Sequence, residues 1–537
     1  MSEMTVTQAV ARALVKEQVD YVFGISGALS PLFDEISGTE GINFVLTRHE
    51  QGAAFMACGY ALAAKRPGVC ISIGGPGATN LLSGVAVAHT AGIPVIALTR
   101  TENRPMLGRQ SFQDIDHIPI FTPITKWSYM VPTGEAVPWV MRRAFQLALA
   151  NRPGPVHLAF PGDILGQQIE VEDLEPEQYR VANTTPCDEA KVEQVIELLK
   201  KAKQPVIIAG DEVLREGATA RLIALAELLK VPVATIRDHL DAFPTVHPQS
   251  VGPIGFRGWD IANSTVAQAD LLLAIGVRFD STSTSGYSYK IIPQNAKIAH
   301  VSQHAEQIGT HYPVAVGVVG STTSFLDKIT QKAKSAAVKG DWLDIKALRQ
   351  EWEEKRLSEI DARAKPIQHA YVIRTLRKLL DKDALIVWDA TASWATPTRR
   401  HIDTYEPDTI IQAFNIGSVG YGFPAAIGAK AARPERQVVC LTGDMGFAMN
   451  SAELETAVRA GLKVTVIVFN DFGVSSVRDG HKRQPFPLLT DYGSQDFSQL
   501  ARVFAADGER VSEPGDVAGA IERALASEKP AVVDILV

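Results

Sequence analysis

Cysteine is scarce in this chain, with four among 537 residues: Cys58, Cys70, Cys187 and Cys440. None forms a Cys-x-x-Cys pair and no Cys/His group has zinc spacing, so neither a disulfide scaffold nor a structural zinc site is expected. Free thiols suit a reducing, cytoplasmic setting. A basic excess is also lacking. Lys and Arg total 53 against 60 Asp and Glu, a net charge of −7, so no nucleic-acid partner is expected. No apolar run approaches the ~20 residues of a membrane helix. The longest, such as 270–277, are strand-length, and no membrane partner is expected. Residues 1–20 read as an amphipathic helix without the basic region of a secretory leader. There is no short repeat, and no strand opens into Gly-x-Gly-x-x-Gly, which argues against a nicotinamide dehydrogenase.

What is present is a balance of 46% hydrophobic and 21% charged residues, normal for a globular enzyme. At roughly 100–200 residues per domain the length suggests about three domains. Short β-rich runs alternate with helix-period segments throughout. They lie at 19–25, 42–47, 69–73 and 94–98, at 205–209, 231–235, 271–275 and 297–301, and at 385–388, 437–441, 464–469 and 531–536. Buried runs in such alternation predict an α/β fold with three doubly wound parallel-sheet domains. Two stretches read as linkers: acidic, turn-rich 166–190, and 334–366 with its charged helical segment 343–364. They place the domains at 1–165, 189–333 and 367–537.

The last domain carries the most specific pattern. A strand runs into Gly443-Asp444-Met445-Gly446, a helix follows with its body at 452–460, and a second strand ends at Asn470-Asp471-Phe472-Gly473. Asp444 and Asp471 are 27 residues apart, which fits one helical crossover and puts both carboxylates at the carboxyl ends of adjacent strands. Two carboxylates, with the Gly473 carbonyl as a third oxygen, suit a magnesium-type cation that takes its other ligands from phosphate. Backbone N–H groups at Met445 and Gly446 suit a diphosphate. Taken alone, Gly-Asp and Asn-Asp are also ordinary strand-end turns.

In the first domain, Arg48-His49-Glu50-Gln51-Gly52-Ala53-Ala54-Phe55-Met56-Ala57 marks a strand-to-helix corner, with Glu50 in an apolar setting. An exposed first-turn Glu stabilised by the helix dipole is the plainer alternative. Further on, Gly74-Gly75-Pro76-Gly77-Ala78-Thr79-Asn80 follows a strand and opens a helix, and Gly417-Ser418-Val419-Gly420-Tyr421-Gly422 is a glycine-rich connection.

These segments together resemble the thiamine-diphosphate enzymes. The Gly-Asp-Gly…Asn-Asn motif of that superfamily reads Gly443-Asp444-Met445 and Asn470-Asp471 here, and the Glu50 segment is similar to the corresponding helix of acetolactate synthases. Phe112-Gln113-Asp114 and Pro123-Ile124-Thr125-Lys126-Trp127 are similar to the acetolactate synthase and benzaldehyde lyase branch. The resemblance covers nearly the whole chain. It implies a pyrimidine-binding domain, a central Rossmann-like domain and a diphosphate-binding domain, with thiamine diphosphate and Mg2+ as cofactors. Glu50 would hydrogen-bond N1′ of the aminopyrimidine and favour the imino form that activates the thiazolium carbon. Gln113 would be a polar catalytic contact to substrate. Cofactor contacts are implied for Glu50, Pro76, Asn80, Gly417, Ser418 and Val419, and for Gly443, Asp444, Met445, Gly446, Asp471, Gly473 and Val474. The metal ligands would be Asp444, Asp471 and Gly473. Thr391, Ala392 and Ser393 stand where acetolactate synthases carry Gly-Gln-His, and complete the implied diphosphate contacts.

Other departures surround the substrate. Gly276-Val277-Arg278-Phe279-Asp280 is similar to a family stretch near FAD, yet Val301-Ser302-Gln303-His304 lacks the acidic pair expected at the strand end, so FAD stays open. Asp479-Gly480 replaces a tryptophan over the substrate, and Val537 follows the last strand where relatives carry a covering tail. The expected function is an acetolactate synthase-like carboligase or decarboxylase acting on a 2-oxo acid or aldehyde. Benzaldehyde-lyase-like cleavage, acyl transfer and dione hydrolysis are alternatives within the class, and a non-catalytic cofactor-binding paralogue is one outside it. Glu50 and the metal site lie in different domains, and by the resemblance they meet across subunits of a homodimer or homotetramer.

Overall fold

The computed structural model describes residues 2–27, 31–181, 185–338, 344–391, 396–474, 477–478 and 490–537. Contacts divide the chain into two compact units. One holds Met1–Ala182, Ala384–Ala392 and Ile411–Val537, the other Asn183–Asp383 and Ser393–Ile410.

The first unit begins with β1 (Ser2–Thr5), β2 (Tyr21–Gly24), β3 (Asn43–Leu46), β4 (Gly68–Ser72), β5 (Val95–Thr101), β6 (Trp127–Met130), β7 (Val156–Pro161) and β8 (Gln168–Val171). Six of these form a parallel sheet in the order β3-β2-β4-β5-β7-β6, while β1 and β8 pair antiparallel outside it. The stretch from 166, expected as a linker, therefore opens with an ordered strand. The second unit contributes β9 (Pro205–Ala209), β10 (Val233–Thr235), β11 (Ser250–Pro253), β12 (Leu271–Ile275), β13 (Lys297–Ser302) and β14 (Val316–Val319), in the order β11-β10-β9-β12-β13-β14. The remaining sheet comprises β15 (Leu385–Trp388), β16 (Ile410–Gln412), β17 (Val438–Gly443), β18 (Thr465–Asn470), β19 (Asp507–Val511) and β20 (Ala531–Leu536), ordered β16-β15-β17-β18-β20-β19.

Every run expected as a strand lies on one. The strands not anticipated include the edge strands β6 and β19, which are only partly buried, and the three-residue β16. Edge strands lack the fully apolar stretch that marks a buried parallel strand. Counted within their sheets, the first and last sheets share one strand order, a kinship that their sequences do not display.

One hydrophobic core draws on both sheets of the first unit, from Phe23, Cys70 and Ala97 to Val387, Cys440 and Val466. Through it run two helices, Glu50–Ala64 and Gly422–Ala432, apolar around nearly their whole circumference. Burial on all sides needs no polar face. They meet backbone to backbone. A Cβ on Gly59 would collide with the Ala425 carbonyl, and one on Gly428 with the Met56 carbonyl. All four cysteines are buried and free. Among the described residues no helix is long and apolar enough to cross a membrane.

Gly428→Ala tests the crossing. Helix propensity alone favours Ala over Gly by about 1 kcal/mol, but the added Cβ forces two backbones apart, at a cost of about 1–3 kcal/mol. Thermal unfolding should show a lower midpoint for the variant. An unchanged or raised midpoint would mean the helices are not in this contact.

Candidate active site

Glu50 is the first residue of its helix, just beyond the carboxyl end of β3. His49 caps that helix, its Nδ1 accepting from Gln51 N–H at 3.0 Å. Glu50 is only 8% exposed, which rules out the exposed first-turn alternative. Asn80 Nδ2 donates to Glu50 Oε2 at 2.9 Å. Asn80 in turn closes the short helix that begins at Pro76 after β4. That turn depends on glycine. Gly75 has φ +57°, and its missing Cβ would stand 2.9 Å from Gln113 Cβ. A Cβ on Gly77 would stand 3.3 Å from Glu50 Oε1. Glu50, Pro76, Asn80 and Gln113 are thus gathered at one edge of the sheet. Gln113 is half-buried and holds φ +61°, a conformation uncommon for a side-chain-bearing residue. Close to Gly74 lies His117, which burial pulls to a pKa of about 4 despite Asp116 and Asp114.

The order around Glu50 depends on a carboxylate from the C-terminal part of the unit. Glu453, on the helix Glu453–Arg459, is buried. Its Oε1 accepts from Arg48 N–H at 3.1 Å and from His49 N–H at 3.0 Å. Thr456 Oγ1 donates to its Oε2 at 2.6 Å. Burial raises its pKa, opposed by these hydrogen bonds and the Arg48 charge. Gly52 leaves the space that Glu453 fills. Nothing in the local sequence marks Glu453, because its partners lie some 400 residues away.

In the C-terminal part of the unit, Asp444 opens a helix at the carboxyl end of β17 and Asp471 follows β18. These are neighbouring parallel strands, as the 27-residue spacing predicted. The crossover holds two short helices, Asp444–Asn450 and Glu453–Arg459, rather than one body from 452. Asp444 Oδ2 accepts from Gly473 N–H at 2.9 Å and Oδ1 from Met445 N–H at 2.6 Å. Its pKa rises to about 6. Burial is the main cause, the Asp471 charge adds to it, and the two N–H groups and Arg478 oppose it. Arg478 Nη1 lies 3.1 Å from Asp471 Oδ2. Gly473 and Val474 are held against Asp491 and Thr490, with Val474 N–H donating to Thr490 O at 2.7 Å.

Asp389 ties three loops together. It is fully buried after β15. Its Oδ1 accepts from Thr391 N–H at 3.0 Å and from Thr391 Oγ1 at 2.8 Å, and its Oδ2 from Gly422 N–H at 2.9 Å. Thr391 Oγ1 accepts from Gly443 N–H at 2.8 Å. A Cβ on Gly446 would fall against Asp389 Oδ1 and Thr391 Oγ1, so that position must be glycine. Burial raises the Asp389 pKa, and the N–H groups pointed at it work the other way. Gly417, at φ +60°, ends the short helix Phe414–Ile416, and Gly417, Ser418 and Val419 are half-buried. Ala392, Ser393 and the Asp479-Gly480 pair lie outside the described residues.

The donor set fits a hard cation. Among the described residues no cluster of three or more His, Cys, Asp or Glu gathers. Two neighbouring carboxylates with backbone oxygens are what magnesium takes alongside a diphosphate. A buried Glu held by one Asn and a glycine-lined turn likewise fits an aminopyrimidine.

In the second unit the turn beside β9 is closed by the chain's own groups. The unit's strand order is that of dinucleotide-binding folds, whose crevice opens where the order reverses, between β9 and β12. There Gly210 N–H donates to Ile275 O at 3.0 Å and Glu212 N–H to Gly276 O at 3.4 Å, and a Cβ on Gly210 would strike the Gly276 carbonyl. The turn that would cradle a pyrophosphate is closed and starts an acidic helix, Asp211–Arg215. Glu212 accepts from Ser302 Oγ at 2.5 Å and from Gln303 N–H at 2.9 Å. Glu216 accepts from Thr322 N–H at 2.8 Å and Thr323 N–H at 3.0 Å. The chain's own carboxylates therefore occupy the anion positions. Burial and the adjacent Asp211 raise Glu212 to about 7.

Family models described as the thiamine pyrophosphate enzyme N-terminal TPP binding domain, central domain and C-terminal TPP binding domain match residues 4–120, 192–329 and 392–535. The chain belongs to the thiamine pyrophosphate enzyme family. Its relatives narrow the branch. It is 32% identical to a probable acetolactate synthase large subunit of Methanocaldococcus jannaschii, across 99% of this chain and 91% of that one. It is 30% identical to the acetolactate synthase large subunit of Haemophilus influenzae, across 100% and 95%. It is 32% identical to the acetolactate synthase isozyme 2 large subunit of Escherichia coli, across 99% and 95%.

Asp389→Asn should turn one acceptor into a donor facing an N–H group. An unsatisfied buried group costs about 1–3 kcal/mol, so the unfolding midpoint should drop and thiamine diphosphate affinity should weaken. Unchanged affinity in calorimetry would remove Asp389 from the account.

Proposed function

We propose that this enzyme is an acetolactate synthase-like carboligase that decarboxylates a 2-oxo acid and joins the remaining acyl unit to a second carbonyl compound, using thiamine diphosphate and Mg2+. The observation that carries this reading is the buried Glu50–Asn80 pair in a chain that matches acetolactate synthase large subunits end to end. When bound, the cofactor supplies a nucleophilic carbon and a sink for the electrons left as carbon dioxide departs. The protein's part is positioning and proton control. Glu50 holds a proton at the pyrimidine ring nitrogen, with Asn80 fixing its Oε2. The apolar helix behind Glu50 keeps water away. Gly417, Ser418 and Val419 seat the pyrimidine. Thr391, Ala392, Ser393, Gly443, Met445, Gly446 and Val474 line the diphosphate. Asp444, Asp471 and the Gly473 carbonyl hold Mg2+, and Gln113 contacts the substrate.

In this reading the regions 1–165, 189–333 and 367–537 are the pyrimidine-binding, central and diphosphate-binding domains. The protein works in the cytoplasm as a homodimer or a dimer of dimers, and Glu50 of one subunit serves the Asp444 site of another. The closed crevice beside β9 argues for a protein without flavin, so the purified protein should be colourless. Yellow flavin absorbance would contradict that.

Complementation tests the site assignment. Glu50→Gln should bind cofactor yet turn over pyruvate at least ~100-fold more slowly, the usual loss on removing a proton-transfer group. Asp444→Ala should be comparably slow through loss of the metal. Co-expressed, the two should recover about a quarter of normal activity, because half of randomly paired dimers keep one intact site. The readout is carbon dioxide release from pyruvate. Full activity in either single variant contradicts the residue's role, and no recovery in the mixture contradicts a shared site.

A further inference from the structure

The helix Ile345–Ser358 of the second unit is more than a connector. Beside it lies a cavity of about 310 Å³ lined by Thr245, Val246, Trp259, Arg349, Trp352 and Arg356, with Gln350, Glu353 and Asp403 completing the wall. Every lining residue belongs to that unit.

The acids of the wall are already engaged. Arg374 donates to Glu353 Oε1 at 2.6 Å and to Asp403 Oδ2 at 2.9 Å. Arg356 donates to Glu353 Oε2 and, at 2.9 Å, to Asp403 Oδ1. All four carboxylate oxygens are thus taken by two arginines. Arg349 is left over. Its guanidinium donates to two neutral carbonyls, Ser250 O and, at 3.1 Å, Thr245 O. No described carboxylate forms an ion pair with it. Burial and the nearby Arg356 charge lower its pKa, with Asp403 and Glu353 compensating less. A guanidinium has five N–H donors, so two carbonyls do not satisfy it.

A second donor is also unmet. Trp352 is 5% exposed, lines the cavity, and its Nε1–H has no acceptor among the described residues. Two cations lie over its ring, the Arg400 guanidinium 5.0 Å and the Lys355 ammonium 6.0 Å from the centroid. The Trp259 ring lies 5.6 Å away. Val246 and Gln350 are exposed, which leaves the cavity a mouth. With Arg374, which shares Glu353 and Asp403 without lining the cavity, three arginines are grouped with two carboxylates, so this cluster carries one positive charge in excess. At roughly 30 Å³ per water-sized atom, the volume accepts a ligand of about ten non-hydrogen atoms.

We propose that this cavity is a binding site for a small monocarboxylate with a compact apolar body. Arg349 takes the carboxylate, the Trp352 Nε1–H donates to it, and the body rests against Val246 and the indole edges. None of the lining residues is among those assigned to the cofactor, and the site does not depend on the reaction proposed above.

Benzoate, with nine non-hydrogen atoms, is the probe, and benzamide is its neutral counterpart. Calorimetric titration of the cofactor-loaded protein should show benzoate binding at least ~10-fold tighter than benzamide, as expected for a charge-assisted contact. Arg349→Gln should weaken benzoate binding at least ~10-fold and Trp352→Phe several-fold, with pyruvate turnover unchanged in both. Trp352→Phe removes one donor and keeps an aromatic ring, so it decides the matter if Arg349→Gln folds poorly. No benzoate binding at millimolar concentration, equal binding of benzamide, or benzoate binding that survives Trp352→Phe would each overturn the proposal. Benzoate held in the cofactor site instead would survive both variants, which also counts against it.

Discussion

The first unit depends on two helices whose backbones touch. Gly59 against the Ala425 carbonyl and Gly428 against the Met56 carbonyl permit an approach that any side chain would block. Both helices are apolar around nearly their whole circumference, so separating them would expose surface with nowhere else to go. The contact has a consequence at each helix start. Glu50 is the first residue of one helix, and Gly422, bound to Asp389, is the first of the other. Packing that looks purely structural therefore sets the position of the Glu50 carboxylate and of the segment that leads from Gly417. Glu453 reinforces the arrangement by accepting the N–H groups just before Glu50.

Three sheets of six strands show how one architecture serves different ends. The first and last share a strand order and place their chemistry-bearing residues beyond the carboxyl ends of strands, where open parallel sheets bind ligands. The middle sheet has the order of a dinucleotide-binding fold, but Glu212 and Glu216 accept the backbone N–H groups at Gln303, Thr322 and Thr323. The same physics operates in both cases. An N–H group at a strand end or helix start needs an acceptor, and either a ligand or a side chain supplies it. In the middle unit the side chains have done so.

Much of this was legible in the sequence, for identifiable reasons. Fully buried parallel strands announce themselves as unbroken apolar runs, and two carboxylates on adjacent strands announce themselves by their spacing, as with Asp444 and Asp471. Glycines mattered where backbones meet, as at Gly75 and Gly446. What the sequence did not display depends on distant partners or on weak local pattern. Asp389 and Glu453 look like ordinary acids until the loops they bind are brought to them. The edge strands β6 and β19 carry too little burial to stand out. Met445 was expected to offer its N–H to a diphosphate, yet that N–H is held by the Asp444 carboxylate, a local bond that spacing cannot foretell.

The account rests on a cofactor held at both ends, by Glu50 with its neighbours and by Asp444 with Asp471. Calorimetric titration of the cofactor-free protein with thiamine diphosphate, with and without Mg2+, addresses that directly. The prediction is saturable binding in the micromolar range that depends on Mg2+ and is lost when Asp444 is replaced by Ala. An absence of binding at high micromolar thiamine diphosphate in the presence of Mg2+ would contradict it.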